Sequence, residues 1–137
     1  MRRLGEQKYM TLSALRRDPD GTYHFAGLHQ DLFIRRASSN TVEEIPSAGT
    51  WLGLMHNIDE NLPVGQFRLE SGDVLLLYTD GITEAEKDGD MLGNEGLVAL
   101  LQESTGRTAE DILEGILESV SSFEVDDDVS VIVIRHV

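Results

Sequence analysis

Through the first half of the chain, apolar and polar positions alternate in short runs, the period-2 signature of strands with one buried face. Lys8 to Leu15 reads as a first strand and Thr22 to Ala26 as a second. Between them Asp18-Pro-Asp-Gly21 predicts a turn, because Pro19 presets φ and Gly21 supplies a positive φ, so the two strands form a hairpin. Leu32 to Arg36 and Thr41 to Ile45, joined through Ser38-Ser-Asn40, predict another hairpin, and the pair in succession predicts an antiparallel meander. From Pro46 to Pro63 neither helical nor strand period holds, which predicts a long connection packing Trp51, Leu52 and Leu54 against the sheet. Val64 to Leu69 alternates again, and Ser71-Gly-Asp73 turns the chain into Val74 to Tyr78, an unbroken apolar run expected to be buried on both faces.

Helical spacing begins only after Asp80. Gly93-Asn-Glu95 opens a short helix with Asn94 as the expected N-cap and Leu97, Leu100 and Leu101 as its apolar stripe. Thr108-Ala-Glu-Asp111 approximates a capping box ahead of Ile112, Leu113, Ile116, Leu117 and Val120, which recur at helical spacing. Asp126-Asp-Asp128 then precedes Val129 to Ile134, a second nearly continuous apolar run. The predicted fold class is α+β: mostly antiparallel sheet with two helices packed on one face.

Composition narrows the function classes. At 137 residues the chain is long enough for one domain with a core of its own. A net charge of −14 argues against nucleic-acid binding, which needs clustered Lys and Arg. No apolar run approaches the ~18 residues of a membrane span, and Arg2 and Arg3 are followed by no h-region of a signal peptide. The absence of cysteine excludes disulfides, zinc-thiolate sites and thiol catalysis, and makes the cytoplasm the expected compartment.

The two most apolar strands carry carboxylates at opposite ends. Asp80 follows the first, whereas Asp126, Asp127 and Asp128 precede the second. If the two are antiparallel neighbours, those ends meet at one sheet edge. Like charges so close need a cation between them, and a hard divalent ion with oxygen ligands, Mg²⁺ or Mn²⁺, fits. Taken singly, Asp-Gly after a strand is ordinarily a turn and a run of Asp ordinarily a solvated loop. Other candidates fall away: Glu86 to Asp90 has Met91 where a calcium loop needs Gly and reads as a charged hairpin tip. His24 and His29 lack metal-site spacing, and Gly93 to Gly96 lacks the Gly-Lys-Ser/Thr ending of a phosphate loop.

Leu75-Leu-Leu-Tyr-Thr-Asp-Gly-Ile-Thr-Glu-Ala85, preceded by Ser71-Gly-Asp73, resembles the C-terminal half of the bacterial PPM-type protein serine/threonine phosphatases, including those of the sporulation stage II protein E type that regulate sigma factors by partner switching. Four more stretches agree in order. Phe25-Ala-Gly-Leu-His29 resembles the family's Asn-Ala-Gly-His, and Gly49 to Leu54 its Gly-x-x-Leu-Gly. Gly93-Asn-Glu-Gly-Leu97 resembles its Phe-Gly-x-x-Arg-Leu helix start, and Asp127-Asp-Val-Ser-Val131 its closing Asp-Asp-x-Thr strand.

The resemblance implies half of a β-sandwich flanked by helices, a site for two Mn²⁺ or Mg²⁺ ions in the complete domain, and attack of a metal-bridging water on phosphoserine or phosphothreonine. By motif, Asp80 and Asp127 are the expected metal ligands and catalytic residues, with Gly81, Thr83 and Asp128 in supporting positions. The expected substrate is a phosphorylated signalling protein such as an anti-sigma-factor antagonist. The family's Gly-Asp-x-x-Asp and Gly-Asp-x-x-Gly-His-Gly segments have no match here. The expectation is therefore the C-terminal part of one domain, with weak or absent activity alone. The alternatives are a non-catalytic protein-binding module and a homodimer that covers the exposed sheet.

Overall fold

A computed structural model describes residues 9–53, 57–58 and 62–137. In chain order the strands are β1 (Ala14–Arg17), β2 (Thr22–Ala26), β3 (Leu32–Arg35), β4 (Val42–Ile45), β5 (Val64–Arg68), β6 (Val74–Tyr78), β7 (Glu86–Lys87), β8 (Asp90–Met91) and β9 (Val131–Arg135). The helices are α1 (Asp80–Thr83), α2 (Gly93–Glu103) and α3 (Ala109–Val120). They divide into two units, one comprising residues 1–29 and 47–68 and the other 30–46 and 69–137.

In the first unit β1, β2 and β5 form an antiparallel three-stranded sheet in that order. The hairpin turn is as expected: Gly21 has φ of 85°, and the Asp20 carboxylate accepts from the Thr22 N–H at 2.9 Å. Tyr23 and Phe67, opposite each other across β2 and β5, stack at 5.3 Å. Gly65 leaves space for the Phe25 ring, since a Cβ there would lie 2.3 Å from it. One expectation needs correction: the first strand begins at Ala14, with Met10 forming only a lone bridge to Leu52 and Lys8 outside the described residues. Trp51 stacks on Tyr9 at 4.9 Å and is 39% exposed, and Leu54 lies outside the described residues.

The second unit holds the four-stranded antiparallel sheet β4-β3-β6-β9. The predicted meander is therefore split: each hairpin forms, but β2 takes β5 as its second neighbour while β3 takes β6. Local turns set hairpins, whereas sheet membership is decided by which faces are buried. One face of this sheet, with Phe33, Val74, Leu76 and Tyr78, packs on Leu97 and Leu101 of α2 and on Ile112, Ile116 and Val120 of α3. Helices α2 and α3 lie on one face, as the pattern predicted, and the short α1 is a third helix that it did not predict. The capping box of α3 also forms, Thr108 Oγ1 accepting from the Asp111 N–H at 3.0 Å and Asp111 Oδ2 from the Thr108 N–H at 3.0 Å.

Helix α2 departs from expectation at its start. Its N-cap is Leu92, without a side-chain cap, and Asn94 instead accepts the Tyr78 hydroxyl proton through Oδ1 at 3.2 Å. Its other end is closed from the sheet. The buried Arg35 guanidinium donates from Nη1 to the Leu101 carbonyl at 3.0 Å, to the Ser104 hydroxyl at 2.7 Å and to the Ser104 carbonyl. At the turn into β6, the buried Asp73 carboxylate accepts from Arg36 at 2.7 Å, from the Ala37 N–H at 2.8 Å and from the Glu70 N–H at 3.0 Å. The Glu86 to Asp90 segment is the charged hairpin tip expected, β7 pairing β8 through Asp88 and Gly89 at positive φ. No helix among the described residues is long and apolar enough to cross a membrane.

Candidate functional site

The antiparallel pairing on which the site depends is present. β6 runs against β9 in a register from Val74↔Arg135 to Tyr78↔Val131, so the C-terminal end of β6 meets the N-terminal end of β9. The ladder continues one step beyond the strands, with the Thr79 N–H donating to the Ser130 carbonyl at 3.0 Å. Asp80 therefore leaves the sheet beside the segment that carries Asp127 and Asp128.

Each predicted residue has a distinct place there. Asp80 is half-buried and begins the short helix α1, its backbone carbonyl accepting from the Glu84 N–H at 2.8 Å and the Thr83 hydroxyl at 3.0 Å. Thr83 thus steadies the Asp80 main chain rather than its carboxylate. Gly81 is a close-approach position: a Cβ built there would lie 2.6 Å from the Asp128 carbonyl oxygen and 3.0 Å from that of Asp127. Only glycine lets the two segments touch. Asp127 is exposed, and its Oδ1 accepts from the Asp128 N–H at 2.7 Å, which orients the carboxylate. The Asp128 side chain is exposed, and its carbonyl accepts from the Thr79 hydroxyl at 3.2 Å.

Sequence reasoning overlooked Thr79. Its hydroxyl also accepts from the Ser130 N–H at 2.9 Å, so it joins the Asp80 turn to the Asp127 segment. A polar, β-branched residue at the end of an otherwise apolar strand was the available signal, but such a residue reads first as a strand former.

The same end of the sheet carries further negative charge. Asp31 precedes β3 and Glu44 lies near the end of β4; their hydrogen bond, with burial and mutual repulsion, holds the Glu44 carboxyl above its ordinary range. Burial, reinforced by those two acids, pushes the Tyr78 phenol up as well. In the first unit His24 pairs with Asp18 at 3.0 Å and His29 with Thr11 at 3.1 Å. Among the described residues no group of three or more His, Asp and Glu converges as a complete metal cage. At the β6–β9 edge Asp80, Asp127 and Asp128 carry hard oxygen groups. That set fits Mg²⁺ or Mn²⁺, which keep water ligands and are commonly held by one or two carboxylates.

Comparison with known proteins agrees with this fold. The chain is 30% identical over 120 residues to the phosphoserine phosphatase RsbU of Bacillus subtilis strain 168, matching 84% of this chain and 34% of RsbU. A solved PP2C phosphatase domain with a fragment of the regulatory domain of the B. subtilis cell fate determinant SpoIIE superposes with a TM-score of 0.77 at 22% identity, over 97% of this chain and 40% of that one. The manganese-presoaked SpoIIE phosphatase domain superposes with a TM-score of 0.63 at 21% identity, over 93% of this chain and 56% of that one. The chain thus spans about a third of the curated relative and about half of that phosphatase domain. The profile of the Stage II sporulation protein E (SpoIIE) family matches residues 1–137. This chain belongs to the Stage II sporulation protein E (SpoIIE) family.

Proposed function

We propose that the chain is the C-terminal part of a metal-dependent protein phosphatase domain that removes phosphate from phosphoserine or phosphothreonine in a partner-switching regulator. Asp80 and Asp127 are the metal ligands in this reading, with Gly81, Thr83 and Asp128 holding their backbones. The observation that carries it is the β6–β9 register, which brings the end of one strand and the start of the other to one edge. A bound Mn²⁺ or Mg²⁺ supplies Lewis acidity and a water of lowered pKa. The chain's own part is to hold two carboxylates in fixed relation and to present them to solvent, where a phosphorylated loop has access. The relative's name, phosphoserine phosphatase, supports phosphoserine as the substrate class, and an anti-sigma-factor antagonist is the partner that the family resemblance implies. The cytoplasm is the proposed compartment.

Two carboxylates bind such an ion weakly, so the chain alone turns over little. The test is hydrolysis of p-nitrophenyl phosphate and of a phosphoserine peptide in millimolar Mn²⁺, for wild type, Asp80→Asn and Asp127→Asn. The expected result is turnover near background for wild type and none for either variant. Robust wild-type turnover, lost in Asp80→Asn, would overturn the half-domain part of the proposal while keeping the metal site. A second reading, a non-catalytic protein-binding module, draws on the short donor set among the described residues. It predicts no Mn²⁺-dependent turnover even when the chain is supplied with the remainder of the domain.

A further inference from the structure

The chemistry of two carboxylates on separate segments depends on what fixes their separation. At this edge three bonds do so, and all involve Thr79. Its N–H donates to the Ser130 carbonyl at 3.0 Å, its hydroxyl donates to the Asp128 carbonyl at 3.2 Å, and that hydroxyl oxygen accepts from the Ser130 N–H at 2.9 Å. Thr79 is also the N-cap residue of α1, with extended φ and ψ of −102° and 160°, the position where a Thr hydroxyl ordinarily caps its own helix. Here it makes no such cap. The hydroxyl is turned across to the segment before β9, some fifty residues away in sequence.

We infer that Thr79 is a positioning residue, whose hydroxyl locks the Asp127–Ser130 segment to the Asp80 turn and so sets the relation between the two carboxylates. Gly81 completes the lock from the other side by letting the Asp127 and Asp128 carbonyls come flush against the first turn of α1. The inference rests on the proposed metal-ligand reading of Asp80 and Asp127 for its functional consequence, but not for the lock itself. Loss of an outer partner that orients metal ligands weakens metal affinity by about 10- to 100-fold.

The experiment uses the isotope-labelled full chain as wild type, Thr79→Val, Thr79→Ser and Asp80→Asn. Two quantities are read: amide hydrogen exchange at Ser130, and Mn²⁺ titration followed by paramagnetic broadening of the Asp80 and Asp127 resonances. Thr79→Val keeps the β-branched shape and removes the hydroxyl. It should speed exchange at Ser130 about fivefold, the equivalent of one ordinary hydrogen bond, and weaken Mn²⁺ binding within the range above. Thr79→Ser should restore both, which a purely packing role for the residue would not do. Should valine unfold the chain, Thr79→Ala takes its place. Unchanged exchange and unchanged Mn²⁺ affinity in the hydroxyl-free variant, or failure of serine to rescue, overturns the inference. Asp80→Asn separates the two claims: it should abolish broadening while Ser130 stays protected. If wild type shows no broadening at either aspartate, the metal reading falls, and exchange at Ser130 still decides whether Thr79 is the lock.

Discussion

Gly81 shows how one missing methylene governs a junction. Replacing a helical glycine by alanine ordinarily stabilises by about 1 kcal/mol, because the unfolded chain loses freedom. At Gly81 the added Cβ would sit 2.6 Å from a backbone carbonyl, which cannot swing aside as a flexible side chain does. Overpacking of that kind costs about 1–3 kcal/mol, enough to outweigh the propensity gain. Gly81→Ala is therefore expected to lower the thermal midpoint and to shift the amide resonances of Asp127 and Asp128. An unchanged midpoint would mean that the loop before β9 yields more easily than its bonds to Thr79 imply. The Asp-Gly pair was legible in the sequence as a feature of interest, but its reason was not. The atoms that Gly81 must avoid belong to residues far along the chain.

Among the elements, those whose cause is local were readable in advance. The hairpin at Asp18–Gly21, the tip at Asp88-Gly89 and the capping box of α3 each depend on residues a few positions apart, and each is present. Thr108→Ala removes the hydroxyl that accepts from the Asp111 N–H, and caps of this type contribute about 1 kcal/mol. Chemical denaturation should show that loss, with an unchanged slope because the buried surface is unchanged. Elements whose cause is distant were misread. Asn94 has the composition of an N-cap, yet the nearby Tyr78 hydroxyl engages it, and the helix starts from Leu92 instead. The meander was drawn from sequence adjacency, whereas β3 finds its second neighbour in β6, about forty residues later. The pairing of β6 with β9 entered only as a condition, from two apolar runs with carboxylates at opposite ends, and the register meets it; β9 is nevertheless the edge strand of its sheet, with Ile132 56% exposed.

For the molecule as a whole, a charge of −14 means that acid has two opposed effects. Protonation relieves general repulsion, but it also removes the few carboxylates that the fold uses. Asp73 is the clearest of these. Burial disfavours its charge, but the N–H groups of Ala37 and Glu70 and the Arg36 guanidinium outweigh burial and hold its carboxyl below the ordinary range. A lowered folded-state value means that the unfolded chain takes up the proton first, so this stabilisation is complete above the unfolded-state value of ~3.9 and is lost as pH falls through the folded-state one. Asp73→Asn should therefore be less stable than wild type at neutral pH by about 1–3 kcal/mol, with the gap closing in acid. A gap independent of pH would assign the role of Asp73 to shape rather than charge. Arg35 has the complementary consequence. Its guanidinium, rooted in β3, closes the last carbonyls of α2, so that end of the helix cannot fray without leaving a buried cation short of acceptors. Helix end and sheet thus open together or not at all, and the unit is expected to exchange its amides as one cooperative block rather than from the helix end inward.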